Sequence, residues 1–183
     1  MTDRPPRPNL PGVEVSAELQ VIYREHFQYC YRTLRRLGVP ARDLPDVTHD
    51  VFMVVHRRLP DFERGRPVKP WLFGIAYRVA ADRARRFSTQ RERLEEGPEP
   101  VDGGDDALLR LERAEAQRLV EQALEKLDLE KRAVFVAHEL EGQAAPEIAA
   151  ALGIPLNTVY SRLRVARDTF GKVVRRLAQK EAS

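Results

Sequence analysis

Apolar residues recur at three- and four-residue steps from Leu19 to Leu37: Leu19, Ile22, Tyr23, Phe27, Cys30, Tyr31, Leu34 and Leu37. That period predicts an amphipathic helix, capped by Ser16 and ended by Gly38. A second stripe, Val47, Val51, Phe52, Val55 and Leu59, predicts a helix from about Pro45 that Pro60 stops. The polar stretch "DFERGRPVK" reads as a loop. Pro70 suits a first helical turn. Trp71, Leu72, Ile75, Ala76, Val79 and Ala80 then line a third helix to about Phe87.

The helical period returns near Leu108 with Leu111, Leu119, Val120, Ala123, Leu124 and Leu127. Asp128 can cap the next helix, which runs through Val134, Phe135 and Leu140 to Gly142. Two more helices are expected, about Pro146–Leu152 and Leu156–Leu177. No stretch alternates with the two-residue period of a strand. The fold class is therefore all-α, with two small helical domains joined by a flexible acidic linker.

Composition sharpens the boundaries. Residues 1–15 are proline-rich with little apolar content, and read as a disordered tail. Residues 16–88 form the first domain. Residues 89–109 hold seven acids and two arginines, a net −5, punctuated by Gly and Pro. They read as the linker, and residues 110–183 as the second domain. The chain has 183 residues, 43% of them hydrophobic and 32% charged, and a net charge of only +3. No apolar run suits a membrane span or a signal peptide, and the single cysteine, Cys30, excludes an internal disulfide. A cytoplasmic protein without membrane insertion is expected.

The near balance of charge hides strong segregation. Between Arg57 and Arg93 stand eleven basic residues and four acids, a net +7, interleaved with Phe62, Trp71, Phe73, Tyr77 and Phe87. Basic residues give affinity for a phosphate backbone, and aromatic faces hold unstacked bases. Core packing is the alternative role for Trp71. Asp46 and Asp50, four residues apart, share one helix face, which could meet a basic partner or simply be solvated.

In "EIAAALGIPLNTVYSRL", Glu147–Leu163, Ile148, Ala149 and Leu152 form an apolar face, and Gly153 permits a left-handed turn. Ile154 plugs the corner, and Val159 and Leu163 anchor the following helix. This is the pattern of a helix-turn-helix, whose second helix enters the major groove. Thr158, Tyr160, Ser161, Arg162 and Arg164 would lie on its open side. From Thr158 to Lys180 the net charge is +6. A solvated basic hairpin would show the charge, but not the glycine turn and the small Ala149 at the crossing. One local weakness is Ala144, which stands where a capping hydroxyl is preferred.

These motifs together carry a resemblance. "DVTHDVF" (Asp46–Phe52) and "PWLFGIA" (Pro70–Ala76) resemble region 2 of a bacterial sigma factor of the extracytoplasmic-function (ECF) type. Ala123–Arg167 resembles region 4 of the same family. The resemblance implies a protein that binds core RNA polymerase, directs it to promoters and assists strand opening. It implies docking of Asp46, Asp50, Val51 and Phe52 on the clamp of the largest polymerase subunit, with the flap as a further contact. The −10 element would meet Asp61, Phe62, Arg64, Arg66, Trp71, Tyr77, Arg78, Arg83 and Arg85. The −35 element would meet Thr158, Tyr160, Ser161, Arg162, Arg164 and Arg167. The acidic linker would thread the polymerase channel that later holds RNA. An anti-sigma factor is the further partner implied. His49, Arg78, Tyr160 and Ala144 depart from the family's common residues and bear on promoter choice or affinity.

Catalytic chemistry is not indicated. His26 and Cys30 share a helix face, but the zinc-binding anti-sigma factors that accompany this family use a His-x3-Cys-x2-Cys arrangement, whose third position is here Thr33, and a structural zinc site wants four ligands. His56 and His138 have no partner at motif spacing. No phosphate-binding or dinucleotide-binding glycine loop occurs. The sequence therefore implies no enzyme, no cofactor and no metal. Two rival readings remain at this level. One is a free-standing helix-turn-helix regulator, which does not account for the basic aromatic N-terminal half. The other is a polymerase-binding module without DNA contact, which leaves the reading helix unexplained.

Overall fold

The computed structural model describes residues 16–88 and 107–181. The tail at 1–15 and most of the stretch read as linker lie outside the described residues. Seven α-helices are present among the described residues, with no strand: α1 (Ala17–Arg36), α2 (Leu44–Arg58), α3 (Val68–Ser88), α4 (Ala107–Glu125), α5 (Leu129–Phe135), α6 (Ala145–Leu152) and α7 (Leu156–Glu181).

Local chemistry sets most of the ends. Ser16 Oγ accepts from Leu19 N at 3.2 Å and starts α1. Gly38, at φ 91°, follows the last turn of α1. Short 3-10 turns, Ala41–Asp43 and Leu59–Asp61, bracket α2. The side chain of Asp128 accepts from Lys131 N at 2.9 Å and starts α5. Helix α4 begins at Ala107, inside the stretch that reads as linker.

The first half is α1, α2 and α3 packed on one another. Leu19, Cys30, Leu34, Val47, Val51, Phe52, Val55, Leu72, Phe73, Ile75 and Ala76 are buried there. The rings of Tyr23 and Phe52 meet at 4.6 Å. Thr48 is also buried, and its hydroxyl donates to Leu44 O at 2.6 Å, so its polar atom is satisfied within the helix.

In the second half, α5 continues as one π-helical turn, Val136–Leu140, where the sequence predicts an uninterrupted α-helix to Gly142. The wider turn is closed by Glu141 N, which donates to Val136 O at 3.0 Å, five residues back. Leu124, Val134, Phe135, Ile148, Val159, Leu163 and Ala166 form the core of this half, and Phe135 stacks on Phe170 at 4.5 Å.

The two halves pack together, and their buried side chains form one continuous cluster. Polar contacts cross the seam. Arg36 pairs with Glu141 at 2.5 Å, and Arg35 with Glu121 at 3.0 Å. Arg132 donates to Leu37 O at 3.1 Å. The missing Cβ of Gly38 makes room for that guanidinium, because a side chain there would overlap Arg132 Nη1.

Candidate polymerase and promoter interfaces

Helix α2 presents Asp46, His49 and Asp50 to solvent. The two carboxylates sit one turn apart on the open face, as the i, i+4 spacing requires. Val51 and Phe52 do not join them. They are 0% and 1% exposed, on the face that packs against the rest of the first half. The expectation that both present themselves to a partner is therefore corrected: they hold α2 in place, and of the four residues only Asp46 and Asp50 are open. The helical period already set Val51 and Phe52 on the apolar stripe, away from the Asp46–Asp50 face; the family resemblance grouped all four.

The loop before α3 exposes Asp61, Arg64 and Arg66. Arg64 reaches Glu18 at 3.2 Å and Arg66 reaches Glu63 at 2.6 Å. Phe62 and Trp71 are half-buried and meet at 4.5 Å between ring centroids, tilted by 39°. The pair closes the head of α3 and leaves aromatic surface at the lip beside two exposed arginines. Further along α3, Tyr77 is half-buried and Arg78 is exposed. Burial raises the Tyr77 phenol above its ordinary value, helped by Glu130 and opposed by Arg162, Arg85 and Arg78. Burial and the nearby Arg58 lower Arg78. Arg83 binds Asp43 at 2.8 Å, and Arg85 pairs with Asp82 one turn earlier.

The helix-turn-helix forms as its sequence predicts. Gly153 adopts φ 69°, ψ 39° at the end of α6, and Ile154 N bonds to Ala149 O at 3.1 Å. Ala144 lies before α6 without a capping oxygen, and only Glu147 completes its half of the reciprocal pair, accepting from Ala144 N at 2.9 Å. Val159, Leu163 and Ala166 are buried beneath α7. Tyr160 is 53% exposed, with Ser161 and Arg164 also open and Thr158 half-buried. Ser161 Oγ donates to Thr158 O at 3.0 Å.

Arg162 and Arg167 lie on the flank of α7 and are engaged by acids from α5 and its π-helical turn. Arg162 pairs with Glu130, and Arg167 with Glu139 at 2.6 Å. Sequence reading gave neither partner, since 32 and 28 residues separate the pairs. Leu156 is 38% exposed one turn before Tyr160, and no local sequence signal marks it as open. The open stripe of the helix is thus Leu156, Tyr160 and Arg164, with Ser161 beside it.

His138 and Cys30 take structural places. His138 Nδ1 lies 2.9 Å from Gln143 O. Cys30 is fully buried, and burial pushes its thiol up to about 12.

Residues 22–90 match the family description "Sigma-70 region 2", and residues 117–169 match "Sigma-70, region 4". The chain is 33% identical over 150 residues to the RNA polymerase sigma factor CnrH of Cupriavidus metallidurans, covering 73% of this chain and 74% of that protein. The chain belongs to the sigma-70 family. Within it the chain is of the ECF type. It is 29% identical to the ECF RNA polymerase sigma-E factor of Escherichia coli K12, over 84% of this chain and 85% of that one. A solved structure of CnrH with the cytosolic domain of CnrY superposes with a TM-score of 0.61 at 28% identity, over 85% of this sigma factor and 86% of that chain. The sigma factor RpoE of Bartonella quintana, solved with the anti-sigma factor NepR, shares the fold at a TM-score of 0.67 and 20% identity, over 87% of this chain and 98% of that one. As a sigma factor the protein binds core RNA polymerase and promoter DNA and acts in transcription initiation. Among the described residues no helix is long and apolar enough to cross a membrane.

Proposed function

We propose that this sigma factor divides its work between its two halves. The exposed Asp46–Asp50 face of α2 docks on the clamp of the largest polymerase subunit. The arginine loop and α3, with Asp61, Phe62, Arg64, Arg66, Trp71, Tyr77, Arg78, Arg83 and Arg85, take the −10 element. Helix α7, through Thr158, Tyr160, Ser161, Arg162, Arg164 and Arg167, reads the −35 element in the major groove. The protein works in the cytoplasm, uses no cofactor and performs no catalysis of its own.

The observation that carries this reading is the arrangement of the first half. An open acidic face on α2 and a basic, aromatic lip on α3 belong to one packed three-helix unit. One unit can therefore hold polymerase and DNA together. Strand opening follows from the lip: a base leaving the stack costs a few kcal/mol, and stacking on Phe62 or Trp71 beside Arg64 and Arg66 offsets that cost. An anti-sigma factor that covers the polymerase-facing surfaces would hold the protein inactive. The Bartonella sigma factor, which shares this fold, is itself bound by such a partner, NepR.

The test separates the two roles. Asp50→Arg should abolish binding to core polymerase, measured by co-elution. Arg162→Ala should leave that binding intact and weaken promoter binding by the assembled holoenzyme. Equal loss of core binding from both substitutions would contradict the division.

A further inference from the structure

A partly open cavity of about 260 Å³ lies where the turn after α1, helix α3 and helix α5 meet. Its wall is mostly apolar, with Leu37, Val39 and Pro40 on one side, Ala80 on α3 and Leu129 on α5. A dry apolar cavity of about 150 Å³ takes up benzene, so this one has room for a ring and a short polar arm. It falls just below the usual range of small-molecule sites, which begins near about 300 Å³. Size therefore limits the occupant to about one ring, or a chain of about six carbons, with a single polar end.

The polar part of the wall is positive. Arg83 and Arg132 line the cavity against the lone carboxylate of Asp43. Asp43 is already engaged, by Arg83 at 2.8 Å and by Arg42 at 3.9 Å. Arg132 has no such match. Its guanidinium donates only to backbone carbonyls: Leu37 O at 3.1 Å, Glu125 O at 3.2 Å and Leu127 O at 3.0 Å. Those bonds fix the head and leave donors to spare, since a guanidinium carries about five. Among the described residues no carboxylate lies within ion-pair reach of Arg132, and Glu125 and Asp128 act on it from further away. Burial pulls the guanidinium below its ordinary value. An anion that enters the cavity therefore relieves a cost already present in the fold.

We propose that this cavity binds a small monocarboxylic acid, with its carboxylate on Arg132 and its apolar body against Val39, Pro40, Ala80 and Leu129. Two guanidiniums against one carboxylate leave the wall with one positive charge in excess. That favours an anion over a neutral molecule or an amine of the same shape. The Arg132 head is held before the ligand arrives, so little freedom is lost on binding. Val39 and Ala80 come from the first half of the chain, Leu129 and Arg132 from the second, so the bound acid touches both. The site rests on neither the −10 nor the −35 assignment.

Isothermal titration of the full chain tests the site, with phenylacetate and hexanoate as probes. The expected result is saturable binding of one acid per chain, and the tighter of the two shows whether the apolar body is a ring or a chain. Phenylacetamide and hexanamide, the same bodies without the charge, should bind at least about tenfold more weakly, the smallest share expected of a hydrogen bond to a charged group. Arg132→Met keeps the apolar stem, removes the charge and should weaken the acid by at least about the same tenfold factor. Ala84→Phe gives an independent route. Ala84 lies at the exposed lip of the cavity, where a larger side chain can fill the space from outside without displacing the core. It should abolish binding with the circular dichroism of the chain unchanged, and it decides the matter if Arg132→Met fails to fold. No saturation of the unchanged chain by either acid up to about 10 mM overturns the site. So does equal binding of acid and amide, or acid binding that survives in folded Arg132→Met or Ala84→Phe.

Discussion

Tyr29 in α1 and Gln143, between the π-helical turn and α6, share a buried hydrogen bond. The amide Nε2 donates to the phenol oxygen at 2.9 Å, and the phenol donates onward to Lys69 O at 3.3 Å. Three segments distant in sequence meet at that oxygen. Gln143 is also fixed by its backbone, through Ala137 O and His138. Burial, followed by the nearby Glu141, raises Tyr29 well above the ordinary phenol range, so the hydroxyl stays protonated.

Tyr29→Phe removes the acceptor and leaves the Gln143 amide buried without it. The expected loss of stability is about 1–3 kcal/mol, read from urea unfolding. Gln143→Leu in the Tyr29→Phe background should recover part of that loss, since the stranded amide is then gone.

Cys30 sets an alkaline limit. Its thiol is pushed up to about 12 in the folded chain, against about 8.5 for a free thiol. A raised folded value means that the stabilisation is complete below the unfolded value and is lost as pH rises toward the folded one. Stability should therefore fall from about pH 8.5 upward, and Tyr29 should steepen the fall above about pH 10. Cys30→Ala should flatten the slope between about pH 8 and 10, whatever it does to stability at neutral pH. A thiol reagent should modify the native chain no faster than it unfolds.

Ala144 offers a gain. Its backbone is extended at φ −71°, ψ 145°, as a helix cap needs, and Glu147 already supplies half of the reciprocal pair. Ala144→Ser should add about 1 kcal/mol by completing it. The shift in the midpoint of thermal unfolding checks this.

Tyr160 stands on the open stripe of α7. Tyr160→Arg should tighten promoter binding by the holoenzyme and steepen its salt dependence by about one unit of log–log slope, the share of one added phosphate contact. An unchanged slope would mean that this position does not face the backbone.

What could be read from the sequence was local. Ser16, Asp128 and Gly153 announced their caps and turns because each acts on residues within one helical turn. The helix-turn-helix was legible for the same reason, as was the shared face of Asp46 and Asp50. What depends on the distant chain was not legible. Nothing near Arg162 points to Glu130, and nothing near Arg132 points to Leu37. Periodicity marked Val51 and Phe52 as buried candidates, yet family resemblance drew them into the docking surface, and burial returned them to the core. The π-helical turn at Val136–Leu140 left no mark in an apolar period that suits an α-helix equally well.

The central claim is that this chain gives core polymerase its promoters, and run-off transcription tests it most directly. Core RNA polymerase would be assayed with and without the protein on a library of promoter fragments from its own genome. The account predicts discrete transcripts that appear only when the protein is added and that vanish with Asp50→Arg. No protein-dependent initiation anywhere in the library would contradict it.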